Sequence, residues 1–327
     1  MACIFLASPV FGADGPGRTS LSNPQVQYKV PGKHYVVLKR GEVEAVITDN
    51  TPVDDEILPN HGDGFNGMAS LKHVNRQENL FVPRFAGLNL EHIHDGTNQE
   101  RSILFEPRNA PMQLRKINGH TAEVYQPPTP FWQLESCMLY ELLHDGTIEM
   151  TFECIPHKQT FKNGYIGLFW ASYINKPESL DIHFLGRRTD DPSAKPGWIQ
   201  GVTPQHGTKA THLAIDDNRD IKHTPDFSLR LAFNLSDYRY SEPWYYGVSH
   251  GMAFVQMFRK RDGIRFSQSP SGGGKDCPAW DFQYFIPNYE VGKRYGFVMM
   301  AIYLPYESQE QVVKATERHR AALNPSL

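Results

Sequence analysis

Short alternating or apolar runs, closed by Pro, Gly, Asn and Asp, recur along most of the chain, and this repetition limits the fold more than any other feature. They include YVVLKRGEVEAVITD, LFVPRFAGLNLEHIH, RSILFEP, MQLRKI, AEVYQP, YIGLFWASYI, LDIHFLG, DFSLRLAFNL, YGVSHGMAFVQMFRK, IRFSQSP, FQYFIP and YGFVMMAIYLPY. Period-two patterning with turn residues at this spacing predicts strands packed as an antiparallel sandwich, not βαβ units. The 24 prolines, 26 glycines and 12% aromatic content suit many strands joined by turns. A helical period occurs only in SQEQVVKATERHRAAL, where Ser308 is the candidate N-cap and Gln311 falls at the third helical position. The expected fold class is therefore all-β, a large antiparallel β-sandwich with a short C-terminal helix.

The loops NKPESL, GRRTDDPSAKPGW, IDDNRDIKHTPD and SPSGGGKDCPAW hold most of the charged and turn residues, and none marks a boundary. Residues 25–327 accordingly read as one β-sandwich domain. Residues 1–24 read as a signal remnant and N-terminal arm. MACIFLASPVFGADG is a short apolar stretch ending in small residues, with processing sites at Val10-Phe11-Gly12 or Phe11-Gly12-Ala13, and it implies a periplasmic or extracellular protein. No later stretch is long and apolar enough to span a membrane. A formal charge of −3, with both signs interspersed, gives no footprint for nucleic acid.

In FWQLESCMLYELLHDGTIEMTFECIPH, a two-residue Asp145-Gly146 loop makes a hairpin and sets Cys137 directly opposite Cys154. A disulfide or two small apolar side chains can meet there. The same register puts Leu139, Leu143, Ile148, Met150 and Phe152 on the buried side with the cysteines. Tyr140, Glu149, Thr151 and Glu153 face the other way, and Glu141 breaks the pattern.

Two imidazoles separated by one residue stand out in LNLEHIHDG. On a strand, His92 and His94 share a face with Leu88 and Leu90, while Glu91 and Asp95 face away. Asp95-Gly96 signals a turn next to the pair. Such a pair can perform acid–base work, hold a metal with ligands from elsewhere, or close a strand end with ordinary hydrogen bonds.

Sugar sites combine an aromatic platform with ionisable groups. EPWYYGVSHG brings Trp244, Tyr245 and Tyr246 near His250, and SPSGGGKDCPAW ends in Trp280. Trp170, Arg84, Glu153, His61, Glu135, Tyr140, Glu149 and His157 complete the candidates. The GGGK run lacks phosphate-loop spacing, and the chain has neither a GxSxG elbow nor an HExxH motif.

PRFAGLNLEHIHDG and LFWASYIN resemble the galactose mutarotase-like β-supersandwich superfamily, which includes sugar epimerases and domains of polysaccharide lyases and hydrolases. Arg84 and His92 or His94 match its early Arg and His, and Tyr173-Ile174-Asn175 matches the end of its His-x-Tyr-Phe-Asn segment. Ala171 stands where that segment has His, so the resemblance implies a carbohydrate reaction other than simple mutarotation.

These readings converge on an exported carbohydrate-active protein performing lyase- or epimerase-like acid–base catalysis on a sugar or uronate-containing glycan. His92, His94, Tyr245 and His250 are the expected catalytic groups. Arg84, Glu153, Trp170, Trp244, Tyr246 and Trp280 are expected to bind substrate. The leading scheme needs no cofactor. The alternatives are a non-catalytic glycan-binding module and a metal-dependent enzyme with a divalent ion on His92 and His94.

Overall fold

In a computed structural model, which describes residues 17–325, fifteen strands form one sheet and three N-terminal strands form another. The small sheet comprises Tyr35–Arg40, Val43–Thr48 and Gly67–His73. The large one starts at Asn89–His94, continues through Tyr165–Ala171 and Ala279–Pro287, and ends at Gln113–Lys116. Among the described strands, pairing is antiparallel except between Thr211–Ala214 and Leu235–Tyr240.

The long sheet folds over itself. The Phe152 ring lies 4.9 Å from Trp170, and the Tyr140 hydroxyl donates to the Leu88 carbonyl at 3.0 Å, although the strands carrying these partners are far apart in the hydrogen-bonded order. Leu90, Met138, Phe152, Trp170, Phe254 and Phe297 are all buried in one continuous core. Burying apolar faces on both halves of the sheet is what drives the closure into a sandwich.

The C-terminal helix, Gln309–Leu323, begins as expected: the Ser308 side chain accepts from Gln311 N at 3.2 Å. Val312, Thr316, His319 and Leu323 form its buried stripe. Among the described residues no helix is long and apolar enough to cross a membrane.

Three local expectations are corrected. Leu143 N donates to Thr147 O at 2.7 Å and Gly146 N to Leu143 O at 2.9 Å, so the loop after Leu134–Leu142 has three residues, with Gly146 at φ 82°. The extra loop residue shifts the register by one. Cys154 pairs with Ser136 and Cys137 with Glu153, and Cys137, Cys154 and Cys277 are free thiols. Tyr140 joins Met138, Met150 and Phe152 in the core, while Cys137 and Leu139 turn to the side of Glu153. RSILFEP forms no strand. It folds as two short helices, Arg101–Leu104 and Glu106–Asn109, with the Glu106 carboxylate accepting from the Phe131 and Trp132 amides at 2.6 and 3.0 Å. DFSLRLAFNL likewise contains a helical turn, Arg230–Phe233, before its strand.

Candidate functional site

The strand Asn89–His94 does not alternate simply. Leu90 pairs with Trp170 and His92 with Phe169, so Glu91 is an extra residue in a β-bulge. A bulge re-aims the side chains around it. Leu90 and Ile93 enter the core, whereas Asn89, Glu91, His92 and His94 turn to the opposite side, beneath the two short helices and the 222–233 loop. The sequence pattern placed Glu91 away from the histidines; the bulge brings it beside them.

The two imidazoles have different fates. His94 is fully buried, with its ring 5.2 Å from Phe227, 5.8 Å from Phe285 and 6.3 Å from Tyr165. A Cβ on Gly167 would lie 2.4 Å from this ring, so the neighbouring strand needs glycine there. Neither ring nitrogen has a hydrogen-bond partner among the described residues, and burial, then the neighbouring His92, pushes its pKa down to about 3. His92 packs against Phe105 at 4.2 Å but reaches a pocket. Its Nδ1 donates to the Leu104 carbonyl at 3.3 Å, which turns Nε2 towards Glu91 Oε2, 3.6 Å away. Burial lowers its pKa to about 4, against the opposing pull of Glu91. The expected side-by-side pair is thus corrected to one pocket-lining ring and one sealed ring.

The pocket has a volume of about 620 Å³, within the range of small-molecule sites. Glu91 and Asp281 both line it, together with Arg108 and Tyr173. Arg108 donates to Glu91 Oε1 at 2.7 Å, to Asn89 Oδ1 at 2.8 Å and to the Tyr173 hydroxyl at 2.9 Å, and its guanidinium stacks 3.5 Å over Phe65. Tyr173 in turn donates to Glu91 Oε1 at 2.7 Å. Burial alone would raise the Glu91 pKa, but the Arg108 charge, His92 and the Tyr173 and Arg108 hydrogen bonds outweigh it and hold the carboxyl below its ordinary range.

Asp281 is driven the other way. It lies on the strand Ala279–Pro287, 1% exposed, and its Oδ1 accepts from Ser172 N at 3.0 Å. Burial and the adjacent Glu91 charge push its pKa well above the ordinary value, which favours its protonated form. One hollow therefore holds two carboxyl groups whose ionisation is biased in opposite directions.

The structure gathers few of the other expected site residues here. Tyr245 is in the core, donating to Asp281 O at 2.9 Å and accepting from Gln256 at 2.7 Å. His250 occupies an exposed turn beside Glu178. Arg84 is exposed and ion-paired at 2.7 Å with Asp63, itself at the pocket wall. Glu153 is buried under the N-terminal arm, accepting from Arg18 N at 3.1 Å and Thr19 Oγ1 at 2.7 Å. Trp170 stacks 5.2 Å from Phe282, and Trp280 donates to Leu180 O at 3.1 Å; both are core residues. Trp244 and Tyr246 pack in the cluster containing Val312 and Leu323 of the C-terminal helix. His61 is buried, and His157 pairs with Glu135 at 2.7 Å on the surface.

Among the described residues, no three His, Cys, Asp or Glu side chains are grouped to hold a metal, so His92 and His94 find no further ligands there. Sequence reasoning missed Arg108 and the role of Asp281. The only local signals were Glu91 beside the histidines and Asp281 after Trp280; their convergence is tertiary.

No protein-family model matches the chain, and neither does any curated protein. Solved structures align over most of it. A galactose mutarotase-like protein from Lactobacillus casei is 8% identical, with 82% of this chain and 99% of that one aligned at TM-score 0.46. An alpha-N-acetylgalactosaminidase from Bifidobacterium bifidum is 9% identical, with 87% of this chain and 38% of that one aligned at TM-score 0.50. A mutant heparan sulfate lyase from Pedobacter heparinus is 8% identical, with 88% and 38% aligned at TM-score 0.40. This chain spans well under half of the latter two proteins. At such identities the likeness is one of architecture: the chain shares a large antiparallel β-sandwich fold with the aligned part of the galactosaminidase.

Proposed function

We propose that the chain is an exported carbohydrate-active enzyme performing lyase- or epimerase-like acid–base chemistry on a sugar or uronate-containing glycan held in this pocket. The observation that carries the reading is the pair of carboxyl groups, Glu91 and Asp281, with oppositely shifted pKa values in one hollow. Environments that separate two such groups assign a base and an acid. Glu91 Oε2, not engaged by Arg108 or Tyr173, takes a proton from a sugar carbon or hydroxyl. Asp281 supplies one to the leaving or re-forming oxygen or carbon. Arg108 and Tyr173 keep Glu91 oriented and ionised, and the scheme draws on no cofactor.

The test is turnover across acidic and neutral glycans. Glu91→Gln and Asp281→Asn are each expected to lower it by about 100-fold or more while binding persists. Turnover unchanged in both variants contradicts the roles. Binding with no turnover of any glycan by the unaltered protein supports the glycan-binding module instead. Export rests on the apolar leader, which lies in residues 1–16, outside the described residues. Cell fractionation and the mature N-terminal mass test it; retention of Met1 in the cytoplasmic fraction contradicts it.

A further inference from the structure

The pocket continues beyond the carboxyl pair. A second hollow of about 380 Å³ shares Asp63, Phe65, Arg101, Phe105 and Arg108 with it, so the two form one groove running past the stacked rings of Phe65 and Phe85, whose centroids are 5.2 Å apart. One lip is the helix Arg101–Leu104, and the other is the segment at Ser228–Leu231.

Each lip carries an exposed guanidinium. Arg101 lies over the Phe105 ring at 4.3 Å, and Arg230 rests against Gly207. Neither is ion-paired with a carboxylate among the described residues, whereas Arg108 is committed to Glu91 and Asp63 to Arg84. With Glu91 paired to Arg108 and Asp63 to Arg84, the groove keeps two unpaired guanidinium groups flanking an aromatic wall. An arrangement of this kind favours a ligand with several negative groups spaced along an amphipathic chain.

We infer that the groove binds an anionic glycan chain of several sugar units, with Arg101 and Arg230 each engaging a carboxylate or sulfate on units flanking the one at Glu91 and Asp281. This rests on the proposed carbohydrate reading and adds charge and chain length to it. Carboxylate and sulfate share the recognised chemistry, so both are tested.

Calorimetry on the full chain would use oligogalacturonates of increasing length, sulfated galactan (carrageenan) oligosaccharides free of carboxylate, and galacto-oligosaccharides as uncharged controls. Longer anionic chains are expected to bind more tightly than short ones, and Arg101→Gln and Arg230→Gln each to weaken them about 10-fold. The better binder of the two anionic series identifies the group read. Equal affinity for the uncharged series, or indifference to both substitutions, overturns the inference while leaving the carbohydrate reading standing. Charge-dependent binding without any turnover leaves the inference standing and removes the enzymatic reading. No binding in any series overturns both.

Discussion

Replacing His94 with Leu isolates the energetic consequence of an imidazole sealed without partners. The ring is fully buried, both nitrogens lack hydrogen bonds among the described residues, and its pKa is pushed down to about 3 by burial and His92. The native state thus holds it neutral, while the unfolded chain protonates it below about pH 6.5. Because the unfolded state binds the extra proton, stability falls as the pH drops from about 6.5 towards the folded value. At about pH 5 the gap is about 1.5 pH units, and at about 1.4 kcal/mol per unit it costs about 2 kcal/mol that is absent at about pH 7.5. Leu is close in volume and forfeits no hydrogen bond, so His94→Leu is expected to match or exceed the unaltered protein at the higher pH. Urea unfolding of both proteins at the two pH values measures the difference. The unaltered chain should lose about 2 kcal/mol more than the variant on acidification. Parallel losses, or a variant weakened by more than about 2 kcal/mol at the higher pH, would refute the account of an unpartnered neutral ring.

Arg108→Gln leaves the Glu91 carboxylate buried without its cation and is expected to destabilise the fold by about 3–5 kcal/mol, read from the urea midpoint. A loss below about 1 kcal/mol would show that Arg108 does not carry Glu91. Glu153→Ala removes the acceptor that anchors Arg18 and Thr19, so limited proteolysis should cleave the N-terminal arm well before the unaltered protein is cut there. Equal cleavage rates would contradict that anchoring.

How much of this was legible in the sequence depended on the range of the interaction. Most strands and the C-terminal helix follow from periodicity, turn residues and the Ser308 cap, which act over a few residues. The hairpin register turned on one loop residue: Asp145-Gly146 also suits a three-residue loop with Gly146 in the left-handed region, and that choice moved Tyr140 into the core. LNLEHIHDG did mark the site, yet the bulge that turns Glu91 beside His92 leaves no trace in an alternating pattern. Residues 101–107 looked extended from their apolar content, but Glu106 folds them back to cap the Phe131 and Trp132 amides, and Arg108 arrives with them. The aromatics near Gly and Pro suggested a cleft, whereas Trp170, Tyr245 and Trp280 fill the interior. Asp281 and Glu91 are distant in sequence and meet only because their two strands pair with opposite edges of the strand Tyr165–Ala171.

The divided ionisation of Glu91 and Asp281 is most directly measured by carbon-13 carboxyl NMR across a pH titration, with Glu91→Gln and Asp281→Asn assigning the signals. The expected result is a Glu91 signal that titrates below the ordinary carboxylate range and an Asp281 signal that titrates well above it. Two signals that titrate together at ordinary values would contradict the acid–base assignment on which the proposed function stands.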